Sequence, residues 1–245
     1  MRKRADVLLV ERGLVESRAK ARAAIEAGGV TADGRPVGRA SEMLDAACAL
    51  EAVAAHPWVG RGALKLDHAL AVWPVPVEGR IVLDVGASTG GFTEVCLARG
   101  ARRVYAVDVG REQLHAKLRG DPRVTNLEAT DARRLTPALT PERPDLVVTD
   151  VSFIGLAKAL PAALALAGHG ADLVALVKPQ FEVGPERVGK GGLVTDPQAQ
   201  AEALENVRTF LDASGWDVQA ATDSPIPGGD GNREFLLWAK KRAAR

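Results

Sequence analysis

The chain has 245 residues, 47% hydrophobic and 26% charged, with a formal net charge of +1. That balance belongs to a folded chain with room for one substantial core and a small satellite domain, and it excludes the disordered and fibrous classes. The longest uncharged stretch is the thirteen residues 159–171, interrupted by Pro161 and His169. Crossing a bilayer takes about 20 apolar residues, so no transmembrane segment is expected. The opening MRKRADVLLVERG reaches Asp6, Glu11 and Arg12 before any apolar run of signal-peptide length, which makes export unexpected. Cys48 and Cys96 stand far apart without CxxC spacing, suggesting neither a disulfide framework nor a zinc site and fitting a reducing, cytoplasmic setting. Charge is uneven: residues 1–22 carry +4 and the remaining 223 carry −3. This is the electrostatic footprint of a polyanionic partner, but charge alone does not favour that reading over a solvated helix face.

In chain order, residues 4–12 read as a short helix with apolar Val7, Leu8 and Val10, ended by Gly13. Ser17 is the candidate cap of a second helix. There Ala21, Ala24 and Ile25 form an inner stripe, Arg18 and Arg22 share another face, and Gly28 and Gly29 end it. Residues 30–53, broken by Asp33-Gly34, read as a turn and small strands. His56-Pro57-Trp58 opens a linker, so domains are expected at 1–60 and 61–245. From Gly79 onward, apolar strands at 81–85, 103–107, 123–127, 145–149 and 172–177 alternate with helical segments, the pattern of a parallel α/β sheet. A helix over 198–213 precedes strands at 216–222 and 234–240, joined by the loop SPIPGGDGN.

The segment DVGASTGGFTEV, 84–95, follows a strand and opens a helix near Phe92. Gly86, Gly90 and Gly91 allow a tight turn and close approach to a ligand, and the helix start offers free N–H groups. Many such turns merely join a strand to a helix. Asp108 adds weight: it ends the second strand 22 residues beyond Gly86, where a carboxylate accepts hydrogen bonds from both ribose hydroxyls of a nucleotide-like cofactor. Asp84 at the start of the turn would attract a cationic amino-acid and sulfonium portion and repel a pyrophosphate, which favours S-adenosylmethionine over a dinucleotide. Asp131 is a candidate for the adenine amino group or, equally, for the cap of a following turn. Asp150 and Lys178 end two further strands, and ligands of open parallel sheets bind outside those ends. Both therefore point toward one cleft. Burial lowers a lysine pKa because the charged form loses hydration, and a neighbouring cation lowers it further, so the neutral amine becomes more available.

RGALKL (61–66), DVGASTGGFT (84–93), AVDVG (106–110), DVSF (150–153), VKPQFEVG (177–184), GKGG (189–192) and GNREFL (231–236) run in order through nearly the whole chain. Together they resemble the TlyA family, whose members join a ribosomal S-four-like RNA-binding domain to an FtsJ-like methyltransferase domain. The resemblance implies a Rossmann-like α/β methyltransferase with a mostly parallel sheet, preceded by a small α+β RNA-binding domain. The implied reaction carries a methyl group from S-adenosylmethionine to the 2′-hydroxyl of a cytidine in large- or small-subunit ribosomal RNA, with no metal. The family's Lys-Asp-Lys-Glu tetrad falls on Lys65, Asp150, Lys178 and Glu234. Lys178 would accept the proton, Asp150 orient it, Lys65 serve as the neighbouring cation, and Glu234 fix the other lysine or the ribose. Ala87, Ser88, Phe92 and Val109 join Asp84, the three glycines, Asp108, Asp131 and Asp150 as candidate cofactor contacts. Arg4, Arg18, Lys20 and Arg22 are the candidate phosphate contacts of the N-terminal helix pair. The chain has Arg4-Ala5-Asp6, residues 29–34 and Arg61-Gly62-Ala63-Leu64-Lys65 where the family usually reads RLD, GxVxVNG and RGGxKL. Ribosomal RNA or subunits are the expected partners, without a membrane. Two other classes compete: a non-catalytic RNA-binding or ribosome-assembly factor, against which the intact tetrad argues, and a nicotinamide-dependent dehydrogenase of similar fold. A cytolysin, the label some relatives carry, has no physical route visible in this sequence.

Overall fold

The computed structural model describes residues 1–53, 55–228 and 231–243. Two compact units divide between Pro57 and Trp58.

In the first unit, β1 (Arg2–Arg4) runs directly into α1 (Ala5–Glu11), and Gly13, at φ +67°, lets the chain turn away. The Ser17 hydroxyl accepts from the Lys20 amide at 3.3 Å and so starts α2 (Arg18–Glu26), as its sequence position predicts. β2 (Val30–Ala32) and β3 (Arg35–Pro36) form a hairpin whose turn residues, Asp33 and Gly34, both take positive φ, the geometry that matches strand twist in a two-residue loop. β4 (Met43–Asp45) pairs antiparallel with β1, and β5 (Leu50–Ala52) pairs with β2. Leu8 and Leu9 pack with Ala21, Ala24, Ile25 and Val30 into the unit's own core.

The second unit begins with α3 (Ala63–Val72), followed by β6 (Ile81–Val85), α4 (Gly91–Ala98), β7 (Arg103–Val107), α5 (Ala116–Arg119), β8 (Val124–Leu127) and β9 (Leu146–Thr149). Then come α6 (Leu156–Ala159), α7 (Pro161–Leu166), β10 (Asp172–Val177), α8 (Pro179–Glu182), α9 (Pro197–Ala213), β11 (Trp216–Asp223) and β12 (Phe235–Lys241). The strands form one seven-stranded sheet in the order β11-β12-β10-β9-β6-β7-β8, parallel except for β12, which is antiparallel to both neighbours. Because helices cover both faces, the central strands are continuous apolar runs rather than alternating ones. On one face Leu66, Phe92 and Val95 pack over Val82, Val104, Val148 and Val174. On the other, Leu160, Leu164, Val207 and Leu211 pack over Leu83, Val147, Leu173 and Trp216. The sheet is thus the mostly parallel, Rossmann-like one expected.

Register explains where chemistry collects. Val85 of β6 lies beside Thr149 of β9, and Val177 of β10 lies opposite Phe235 of β12. Asp150 is the next residue after Thr149, and continuing the β10–β12 register by one step sets Lys178 opposite Glu234. An antiparallel strand starts where its parallel neighbours end, so Glu234 reaches the carboxyl edge although it precedes its strand.

Candidate active site

That edge opens into two connected hollows. The larger, about 490 Å³, includes Asp108, Val109, Asp131, Arg133 and residues 150–154 in its lining. The smaller, about 190 Å³, is lined by residues 60–62, Ala87, Thr89, Gly91, Phe92 and Lys178. Gly86, Ser88, Asp150 and Ser152 belong to both, so they mark the junction.

The residues present fit S-adenosylmethionine. Gly86 has φ +86°, and a Cβ there would stand 2.9 Å from the Asp150 carbonyl oxygen, so the turn packs directly on the backbone that follows β9, in a conformation that favours glycine. Asp108 accepts from the Ser88 amide at 2.8 Å through one oxygen and from the Gly110 amide at 2.7 Å through the other. Each oxygen keeps a lone pair for a ribose hydroxyl. Asp131 caps the next turn, as one of its two readings expects, by accepting from the Arg133 amide at 3.0 Å, and it lines the larger hollow. The Arg133 side chain also binds it and, as the first cause, lowers its carboxyl to about 2.

Two expected cofactor contacts lie elsewhere. Gly90 does not line the cleft; its open side faces Leu114 and Leu118, whose side chains occupy the space a Cβ would need, so it serves packing. Asp84 is fully buried beneath the turn and is absent from both linings, because β6 is covered on both faces. One of its oxygens accepts from the Thr93 hydroxyl at 2.6 Å and the other has no hydrogen-bond partner among the described residues. Burial, reinforced by Asp150 and Asp108, pushes this carboxyl up from 3.8 to about 7. A carboxyl raised by folding contributes stability that is fully present below its unfolded value and is lost as pH rises through its folded value. The Asp84→Asn variant should accordingly lack a decline in stability between about pH 4 and 7 that the parent shows, worth a few kcal/mol at about 1.4 kcal/mol per pH unit. Urea unfolding across that range checks it; parallel pH curves for the two proteins would refute the assignment.

The tetrad positions form two ion pairs. Lys178 Nζ lies 2.6 Å from Asp150 Oδ1 and donates to the Ser152 hydroxyl at 2.7 Å, with its stem buried and its head at the smaller hollow. Lys65 Nζ binds Glu234 Oε2 at 2.5 Å, and both are buried behind the lining. Gly62, one turn before Lys65, passes so close that a Cβ would stand 3.3 Å from Asp150 Oδ2, which brings α3 against the first pair. Ser152, within the DVSF motif, has no role assigned from the sequence alone. A serine two residues beyond the strand-ending acid was the available signal, but its partner is 26 residues away.

In the first unit, Arg4 and Arg18 converge on one carboxylate. Asp6, 1% exposed, accepts from Arg4 Nε and Nη2 at 2.9 and 3.0 Å and from Arg18 Nη2 and Nε at 2.8 and 3.1 Å. The two guanidinium groups hold its carboxyl far below the ordinary range, with Arg4 the larger cause. Lys20 binds Glu16 at 2.6 Å, whereas Arg22 is exposed on α2. The expected basic edge is therefore partly neutralised within the unit, and Asp6, which sequence reasoning passed over, presets two arginines.

Both units resemble known protein families. Residues 58–241 match the FtsJ-like methyltransferase family and residues 3–47 match the S4 domain. The 16S/23S rRNA (cytidine-2'-O)-methyltransferase TlyA of Mycobacterium tuberculosis is 48% identical over 246 residues, spanning 100% of this chain and 92% of that one. A solved hemolysin candidate from Streptococcus thermophilus aligns with a TM-score of 0.79 at 42% identity, covering 99% of this chain and 90% of the other. An S-adenosylmethionine-dependent methyltransferase from Mesorhizobium loti shares the fold, with a TM-score of 0.55 at 17% identity over 74% of this chain and 99% of its own. The family match over residues 58–241 and the full-length relatives define a methyltransferase. The chain belongs to the TlyA family of FtsJ-like methyltransferases, with an S4 domain at its N-terminal end.

Proposed function

We propose that this protein transfers the methyl group of S-adenosylmethionine to a cytidine 2′-hydroxyl in ribosomal RNA. The observation that carries this reading is the Lys178–Asp150 pair at the junction of the two hollows, with Ser152 as a second anchor on the same amine. Asp108 and Asp131 hold the nucleoside end in the larger hollow, and Gly86 lies where the two hollows meet. When bound, S-adenosylmethionine supplies an electrophilic methyl on a sulfonium leaving group. Asp150 and Ser152 fix Lys178 Nζ so that a ribose hydroxyl entering the smaller hollow meets it. Once Lys178 has released its ammonium proton to solvent through the open hollow, the neutral amine takes the ribose proton as the ribose oxygen attacks in line; orientation and proton removal together make a weak alcohol nucleophile competent. The Lys65–Glu234 pair supports that edge from behind. Titration of S-adenosylmethionine, followed by transfer of its labelled methyl to isolated small and large ribosomal subunits, tests the reading. Label in either subunit supports it; bound cofactor without transfer would favour an RNA-binding assembly factor.

The first unit supplies the grip on RNA in this reading. Replacing Arg18 and Arg22 together with alanine should weaken RNA binding and make the plot of log affinity against log salt shallower by about 1 to 2, because each lost phosphate contact releases roughly one counterion fewer. Fluorescence anisotropy over a salt series measures this, and an unchanged slope would remove α2 from the RNA face.

A further inference from the structure

We infer that Glu182 is a positioning residue that latches the loop carrying Asp150 and Ser152 onto the helix that follows Lys178. This inference rests on the methyl-transfer reading above and extends it to a residue outside the tetrad. Two loops leave neighbouring strands at the carboxyl edge: residues 150–155 after β9, and α8 after β10. They are joined at three places. Glu182 Oε1 accepts from the Leu156 amide at 2.8 Å, the free N–H at the start of α6. Gly155 lies so close to α8 that a Cβ there would stand 2.9 Å from the Phe181 carbonyl oxygen and 3.2 Å from Glu182 Oε2. The Phe153 ring lies 5.4 Å from that of Phe181.

The loop needs such a hold. Phe153 has φ +66°, a costly conformation for a residue with a Cβ, which persists only when the surroundings impose it. Phe153 is also 91% exposed, so core burial does not impose it. Glu182 is half-buried with no cation paired to it among the described residues, and desolvation pushes its carboxyl up to about 7. A desolvated carboxyl is costly to keep unless its acceptor is used, and the acceptor is used on the loop. Asn206 donates to the Glu182 carbonyl at 3.4 Å, tying α8 to α9. The latch thus joins the loop to a braced helix, and the Lys178 contacts to Asp150 and Ser152 lie inside the closed ring.

The test compares Glu182→Ala, Glu182→Gln and Gly155→Ala by steady-state methyl transfer and by hydrogen exchange at the Leu156 amide. Glutamine keeps a carbonyl acceptor, alanine removes it, and Gly155→Ala, at an ordinary φ of −73°, pushes the loop off α8 while leaving Glu182 in place. We expect Glu182→Ala and Gly155→Ala to lower kcat by about tenfold or more with KM for cofactor and RNA within about threefold, and Glu182→Gln to restore kcat to within about threefold. The Leu156 amide should stay protected in the parent and the glutamine variant and exchange freely in Glu182→Ala. Glu182→Ala with parental kcat and protection, or Glu182→Gln as impaired as alanine, would overturn the latch. A parent that transfers no methyl would overturn the function instead, and Leu156 exchange would still decide the latch.

Discussion

Lys178→Ala is expected to lower methyl transfer by about a thousandfold while leaving S-adenosylmethionine affinity within about threefold. Its amine is fixed by two partners at the cleft junction, whereas Asp108, Asp131 and Gly86, on other strands, keep the cofactor side intact. Lys178→Arg separates charge from proton transfer. It retains a cation beside Asp150, yet a guanidinium does not give up its proton near neutral pH, so it should be nearly as inactive as alanine. Single-turnover assays with labelled cofactor, alongside calorimetric titration, measure both quantities. An arginine variant with near-parental turnover would reduce Lys178 to an electrostatic role.

The largest stability effect is expected at the second pair. Lys65→Met leaves the Glu234 carboxylate, whose side chain is 2% exposed, without its cation, and breaking one side of a buried pair costs about 3–5 kcal/mol. Replacing both, as Lys65→Met with Glu234→Leu, removes the stranded charge and should recover most of that loss. Activity should not return with it, because the tetrad reading gives the pair a role at the ribose edge. Urea unfolding and transfer assays on the two single variants and the double variant separate these effects. A double variant that recovers both stability and activity would make the pair purely structural.

Much of this was legible in the residues because it depends on local signals. Ser17, Gly13 and Asp33-Gly34 announce a cap, a helix end and a tight turn through their own backbone chemistry. The apolar runs at 81–85 and 172–177 announce buried parallel strands through continuity. What stayed hidden depends on partners distant in the chain. β1 is three residues long and exists through pairing with β4, so no periodicity reveals it. α3 sits inside a motif read for its lysine, not its helix. Asp84 looked like a cleft residue because it begins the glycine turn; the sheet's two-sided cover places its carboxyl below that turn instead. Asp6, Ser152 and Glu182 act by holding other side chains or loops, across 12 residues from Arg18, 26 from Lys178 and 26 from Leu156 respectively. Such roles are set by the fold, and residue type alone does not disclose them.

Nucleoside analysis of ribosomal RNA treated with the purified protein and S-adenosylmethionine tests the central claim most directly, with the Lys178→Ala protein as the control. The proposed function predicts 2′-O-methylcytidine at a defined position, with the cytidine taken from the family and the loss on Lys178→Ala from the geometry: formed by the parent and absent with the variant. A methyl group on a base, or equal 2′-O-methylation by the Lys178→Ala protein, would contradict it.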